Sequence, residues 1–139
     1  MFHQFTITLK PKARGFHLIT DEVTSQISAL ADIKVGVLHL FIQHTSASIT
    51  INENADATVR QDFEAFFNRY VPESEPYFKH NYEGADDIPA HIKASLLGNS
   101  LSIPINHGNL NMGIWQGIYL GEHRNHAGSR KIIATIMGD

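Results

Sequence analysis

The chain has 139 residues, of which 42 % are hydrophobic and 18 % charged, with a formal net charge of −3, an ordinary composition for one globular domain. That balance leaves no electrostatic footprint for nucleic acid or an anionic membrane. The lack of any cysteine excludes disulfides, thiolate-bound zinc, iron–sulfur clusters and thiol catalysis, while nine histidines stand out.

Residues Met1 to Lys10 alternate apolar and polar side chains, and Phe5, Ile7 and Leu9 predict a half-buried strand rather than a signal peptide. Thr20 or Asp21 then caps a helix carrying Val23, Ile27 and Leu30. The run from Val35 to Ile42 predicts a central strand covered on both faces. It is far shorter than the ~20 residues of a membrane helix, so a cytoplasmic protein is expected. A strand through Ile49 and Ile51 follows, then a helix with the apolar stripe Ala55, Val59, Phe63, Phe66, Phe67 and Tyr70, ended by Pro72. Glu73 to Asp86 reads as an ordered loop. Asp87 caps a helix from about Ile88 to Leu97, with Gly98 closing it. Strands Leu101–Ile105, Leu110–Leu120 and Lys131–Met137 finish the chain. The pattern predicts a single α+β domain over residues 1–139. Its sheet is mixed or mainly antiparallel and curled, with two or three helices, unlike a Rossmann or TIM arrangement.

Four segments carry chemistry. In the first, His44 is followed by Thr45, Ser46 and Ser48, and Asn52, Glu53 and Asp56 close the stretch. With Ile49 and Ile51 on the core, Ser48, Thr50 and Asn52 line the opposite face, which is either a lined cavity or an exposed sheet surface. In the second, His80, Asp86, Asp87 and His91 crowd a loop and the first turns of a helix. Asp87 and His91 share a helical face, with Ser95 a turn beyond. Imidazole and carboxylate are the natural zinc ligands where cysteine is absent, although capping acids and surface histidines look the same in sequence. In the third, the lone Trp115 predicts a core residue, and Gln116 presents an amide from the other strand face. The fourth, Glu122 to Arg130, reads as a solvated hairpin loop bearing His123 and His126. Arg124, Arg130, Lys131 and Lys93 are its candidate phosphate-binding cations.

His44-Thr-Ser-Ala, Ile51-Asn-Glu-Asn54, His80 with Asp86, Ala90-His-Ile-Lys-Ala94, Ile103-Pro-Ile and Gly113-Ile-Trp-Gln116 together resemble the YjbQ-like family. The order and spacing agree from about His3 to Met137. Two departures are Ile114, where the family has threonine, and the histidine-bearing segment Glu122 to Ser129 in place of an acidic loop. The resemblance implies a homotrimer and a divalent metal held by His44, His80 and His91, with Asp86 as a further ligand or supporting partner. Zinc suits that set better than magnesium. Glu53, Asp56, Ser95 and Gln116 would line the same cavity. The implied activity is a secondary thiamine-phosphate synthesis, which joins a pyrimidine diphosphate to a thiazole phosphate. Its phosphorylated ligand is expected to meet Thr45, Ser46, Asn52, Lys93, Ser95 and Arg130. A metal-dependent hydrolase, with Glu53 or Asp56 as base, and a non-enzymatic binding module are the alternatives.

Overall fold

Alternation of apolar and polar residues dictates strands, and strands dominate the computed structural model, which describes residues 1–139. In chain order the elements are β1 (Phe2–Leu9), β2 (Gly15–Leu18), α1 (Thr20–Thr24), β3 (Val35–Ile42), β4 (Ala47–Glu53) and α2 (Ala57–Tyr70). They continue with α3 (Asp87–Leu97), β5 (Ser100–Asn106), β6 (Asn109–Leu110), β7 (Gln116–Glu122) and β8 (Arg130–Gly138). The α+β class and the antiparallel character expected from sequence both hold. Every strand pairing is antiparallel.

The strands divide between a five-stranded sheet, β1-β8-β3-β5-β6, and a three-stranded sheet, β2-β7-β4. A single apolar cluster lies between them. The larger sheet contributes Ile7, Leu38, Leu40, Ile103, Ile132 and Ile136, and the smaller sheet Ile49, Ile118 and Leu120. Helix α2 packs on β2 and α3 on β4. One face of the smaller sheet therefore meets the core and the other carries the helices.

Four expectations need correction. Strand β3 is covered on one face only: Leu38, Leu40 and Ile42 are buried, but Val35 and Phe41 stay exposed. Its continuous apolar run reflects an uncovered apolar outer face rather than two buried ones. The helix from Thr20 breaks after Thr24, and a separate 3-10 turn, Ser28–Asp32, carries Leu30 inward. Leu110–Leu120 is not one strand, because the segment leaves β6 in one sheet and enters β7 in the other. Trp115 sits in that crossover and is 63 % exposed, so it is not a core residue.

Candidate metal centre

Helix α3 brings the centre together. Asp87 opens it and His91 stands one turn on, so the 3.6-residue repeat places both on one face. His80 reaches the same point from the preceding loop. His80 Nε2 lies 2.7 Å, and His91 Nε2 3.2 Å, from Asp87 Oδ2. The ligand atoms of the three residues fall within 4.8 Å of one another, as a shared cation requires.

The surroundings fix each group. His91 Nδ1 donates to the Thr45 carbonyl at 2.9 Å, and because a carbonyl only accepts, the proton is on Nδ1. Nε2 faces Asp87 Oδ2: in the imidazolium it donates to the carboxylate, and in the neutral ring it offers the lone pair with which histidines ligate metals. Arg124 Nη1 holds the other oxygen, Asp87 Oδ1, at 2.6 Å. Asp87 is almost fully buried, whereas about a third of each imidazole reaches solvent. Burial opposes ionisation of Asp87. The hydrogen bond from His80 and the charges of His91 and Arg124 outweigh it and hold the carboxyl below its usual value.

The residues expected at the site separate into three groups. His80 and His91 meet as anticipated, but the carboxylate beside them is Asp87 rather than Asp86. Asp86 Oδ2 accepts from Arg124 Nε at 2.8 Å and from the Asn125 backbone at 2.9 Å, so it supports the arginine that steadies Asp87. Burial raises the Asp86 carboxyl, and these contacts lower it further than burial raises it. The helical spacing of Asp87 and His91 is the sequence signal that distinguishes the two acids.

The second group lines the same depression without joining the trio. His44, Thr45, Ser95 and Asn99 border a pocket of about 420 Å³ beside His91. Both ring nitrogens of His44 face donors, Nε2 the Lys131 backbone at 2.8 Å and Nδ1 the Arg130 guanidinium at 3.2 Å. Burial and then the Arg130 charge push its pKa down. His44 is therefore a wall of the pocket rather than a member of the ligand cluster. Ser46 and Arg130 are internal: Arg130 donates to Ser46 and to both oxygens of buried Glu122. Lys93 is fully buried, with its ammonium 2.8 Å from Asn68 Oδ1. Burial and then the Arg14 charge lower its pKa. Lys93 is thus an interior group, whereas Arg130 and Ser46, although mostly buried, also border a pocket of about 440 Å³ with His44, Thr45 and Asn99.

The third group lies at the far end of β4. Asn52 and Glu53 are five and six residue steps from Ala47, roughly 16–20 Å at ~3.3 Å per residue. Glu53 pairs across the ladder with Gln116, whose side chain accepts from Gly113 N. Asp56 caps α2 through Thr58. Proximity in sequence misplaces these residues, since a strand carries its ends apart. His123, expected in a solvated loop, is fully buried, with Nε2 2.9 Å from Ser48 Oγ. The two meet because Gly121 lies between them: a Cβ there would fall 2.4 Å from Ser48 Oγ and 2.8 Å from the imidazole.

Two antiparallel sheets around one core, with a two-histidine, one-carboxylate cluster at a helix start, define a small α+β protein with a candidate metal centre. The chain belongs to the UPF0047 YjbQ-like family, whose sequence profile matches residues 4–139. It is 56 % identical to UPF0047 protein YjbQ of Escherichia coli O157:H7 and 58 % identical to that of Salmonella typhimurium, each over the full length of both chains. Among solved structures, a YjbQ/UPF0047 family protein of Clostridium acetobutylicum superposes with a TM-score of 0.84 at 36 % identity, covering 96 % of this chain and 99 % of that one. A YbjQ-like protein of Sulfolobus solfataricus gives a TM-score of 0.86 at 26 % identity, covering 100 % and 99 %.

Proposed function

We propose that this protein is a metal-dependent enzyme acting on a small molecule, with His80, Asp87 and His91 as the protein ligands of a zinc-class ion. The tautomer of His91 carries this reading. With an Nδ1 proton given to the Thr45 carbonyl, the neutral ring turns its Nε2 lone pair to a carboxylate oxygen at 3.2 Å. Two acceptors at that distance are stabilised by a cation between them. Two imidazoles and one carboxylate are a donor set zinc accepts, and three protein ligands leave coordination positions for water or substrate. Such an ion would lower the pKa of a bound water and polarise a carbonyl or phosphoryl oxygen. Arg124 aims Asp87, Thr45 orients His91, and the pocket walls of His44, Ser95 and Asn99 receive the substrate.

Hydrolysis suits this arrangement better than thiamine-phosphate synthesis. Departure of diphosphate calls for cations at the leaving group; Lys93 is buried on Asn68, and Arg130, which borders a pocket beside His44, has its guanidinium held by Glu122. A phosphorylated substrate would owe its binding chiefly to the metal. The reading includes assembly as a homotrimer, supported by the family resemblance and by the outer face of the five-stranded sheet, where Phe2, Val35, Phe41 and Met137 are exposed.

Elemental analysis and zinc titration test the assignment on the wild-type protein and on Asp87→Asn, His91→Ala and Asp86→Asn. Stoichiometric zinc is expected in the wild type, with loss of at least tenfold in affinity in the first two variants and a smaller effect in the third. Each sample is also assayed on ester and phosphoester substrates and for thiamine-phosphate formation. A wild-type protein with no saturable binding of zinc or manganese would overturn the assignment, leaving an imidazolium–carboxylate cluster.

A further inference from the structure

The His44 ring and the Arg130 guanidinium meet as two donors. His44 Nε2 accepts from the Lys131 backbone N–H at 2.8 Å. A ring nitrogen that accepts carries no proton, so the imidazole is neutral and its proton is on Nδ1. That N–H faces Arg130 Nη1 at 3.2 Å, and a guanidinium, always charged, has no lone pair to offer it. The chain supplies no acceptor for either group at this point.

The rest of Arg130 is satisfied. Nε and Nη2 donate to the two oxygens of Glu122 at 2.8 and 2.6 Å, and Nη2 also donates to Ser46 Oγ at 3.0 Å. Nη1 has only the His44 ring. Arg130 is 7 % exposed, and native proteins seldom leave an arm of a buried guanidinium without an acceptor. This pair borders open space rather than closed interior: His44 and Arg130 both line the pocket of about 440 Å³, and Phe41 gives it an apolar wall. An acceptor that meets both donors at once has two oxygens side by side, as a carboxylate presents to a guanidinium fork. Charge narrows the choice further. Glu122 already neutralises Arg130, and no second cation lines the pocket, so one negative charge is favoured over the two of a phosphate.

We propose that this pocket is a subsite for a small aliphatic carboxylate, which accepts from His44 Nδ1–H and Arg130 Nη1 and lays its chain against Phe41. His44, Thr45 and Asn99 also border the depression beside His91. A substrate anchored here by its carboxylate therefore extends toward the His80–Asp87–His91 cluster. That extension rests on the metal reading above; the subsite itself does not.

NMR titration of the chelator-treated wild-type protein with butanoate, butanamide and inorganic phosphate tests the proposal. Before any addition, the imidazole nitrogen resonances should show His44 as a neutral ring with its proton on Nδ1. Saturable binding of butanoate is expected, with a shift of that Nδ1–H resonance. Butanamide, which carries no charge, should bind about tenfold more weakly or worse. His44→Ala should weaken butanoate by about tenfold, with circular dichroism as the check on folding. No saturable butanoate binding, an Nε2–H ring or an imidazolium at His44, equal affinity for butanoate and butanamide, or tighter binding of phosphate would each overturn the proposal. So would butanoate binding that appears only when zinc is added, because the carboxylate would then be a metal ligand. Butanoate binding by a protein that fails to hold zinc supports the subsite and overturns only the metal reading.

Discussion

His123 shows how far one side chain can be forced from its ordinary chemistry. It is fully buried, its ring 5.7 Å from that of Phe16, and its one hydrogen bond is to Ser48. Burial first, then the charges of Lys93, Arg14 and Arg130, push its pKa from 6.5 to about 3. The unfolded chain therefore takes up this proton near pH 6.5, and the folded chain resists it until about pH 3. Between those values the unfolded state binds one more proton. Stability consequently falls as the pH is lowered through that window, by up to about 1.4 kcal/mol per unit. Denaturant unfolding from pH 7 to 4 should show that slope, and His123→Asn should flatten it. Asp86 and Asp87, held below their ordinary values, add their own loss at lower pH in both proteins. An unchanged slope in the variant would mean that His123 is not the group responsible.

At the scale of elements, α2 shows which part of an apolar stripe works within one chain. Phe63 and Phe67 pack on Phe16, with ring centroids 5.4 and 6.0 Å away, and Phe63 lies 5.9 Å from Tyr119. Phe66 and Tyr70 instead stack on each other at 5.5 Å and remain 58 % and 65 % exposed. Phe63→Ala removes the helix's aromatic anchor on the sheet, and its expected cost is about 3 kcal/mol in urea unfolding. Phe66→Ala removes a ring that is 58 % exposed and meets only Tyr70 and the edge of Phe67, and it should cost less than about 1 kcal/mol. Equal costs would mean that α2 docks through the whole stripe. Helix α3 is anchored differently: buried Lys93 ties one side to Asn68 of α2, which leaves the side bearing Asp87 and His91 for the His80 cluster. Gly98 ends α3 with a φ of 111°, a conformation that side chains with a Cβ rarely adopt.

Across the whole molecule, the helices cover one sheet and leave the outer face of the other bare. Neighbouring strands place Val37 opposite both Met137 and Pro104, and Phe41 opposite Ile133 and Ser100, so apolar groups gather on that face. Exposed contiguous apolar surface marks an interaction site. Sedimentation should give the mass of three chains for the wild type. Phe41→Glu should sediment as a smaller species with unchanged circular dichroism, since a buried charge without a partner disfavours the interface. A wild type that stays monomeric at every concentration would refute the trimeric reading. No helix is long and apolar enough to cross a membrane.

What could be read from sequence was what depends on local periodicity and composition. The β1 alternation, the helix ending at Tyr70, the α3 helix with its terminal glycine and the α+β class all follow from side chains a few residues apart. That His80 and His91 belong together was legible because motif order records them, and the Asp87–His91 relation is one helical turn. The division into two sheets was not legible, because crossing between sheets at Gly113 to Trp115 involves partners far apart in the chain. Nor was the fate of the charged residues. Lys93, Arg130 and His123 look solvent-facing or ligand-binding in sequence, and only packing against Asn68, Glu122 and Ser48 makes them interior. Helical spacing distinguishes Asp87 from Asp86, but the Arg124 that holds both acids arrives from the other end of the fold. Local pattern sets which elements form, whereas burial and charge partners come from long-range contacts that no short window of sequence contains.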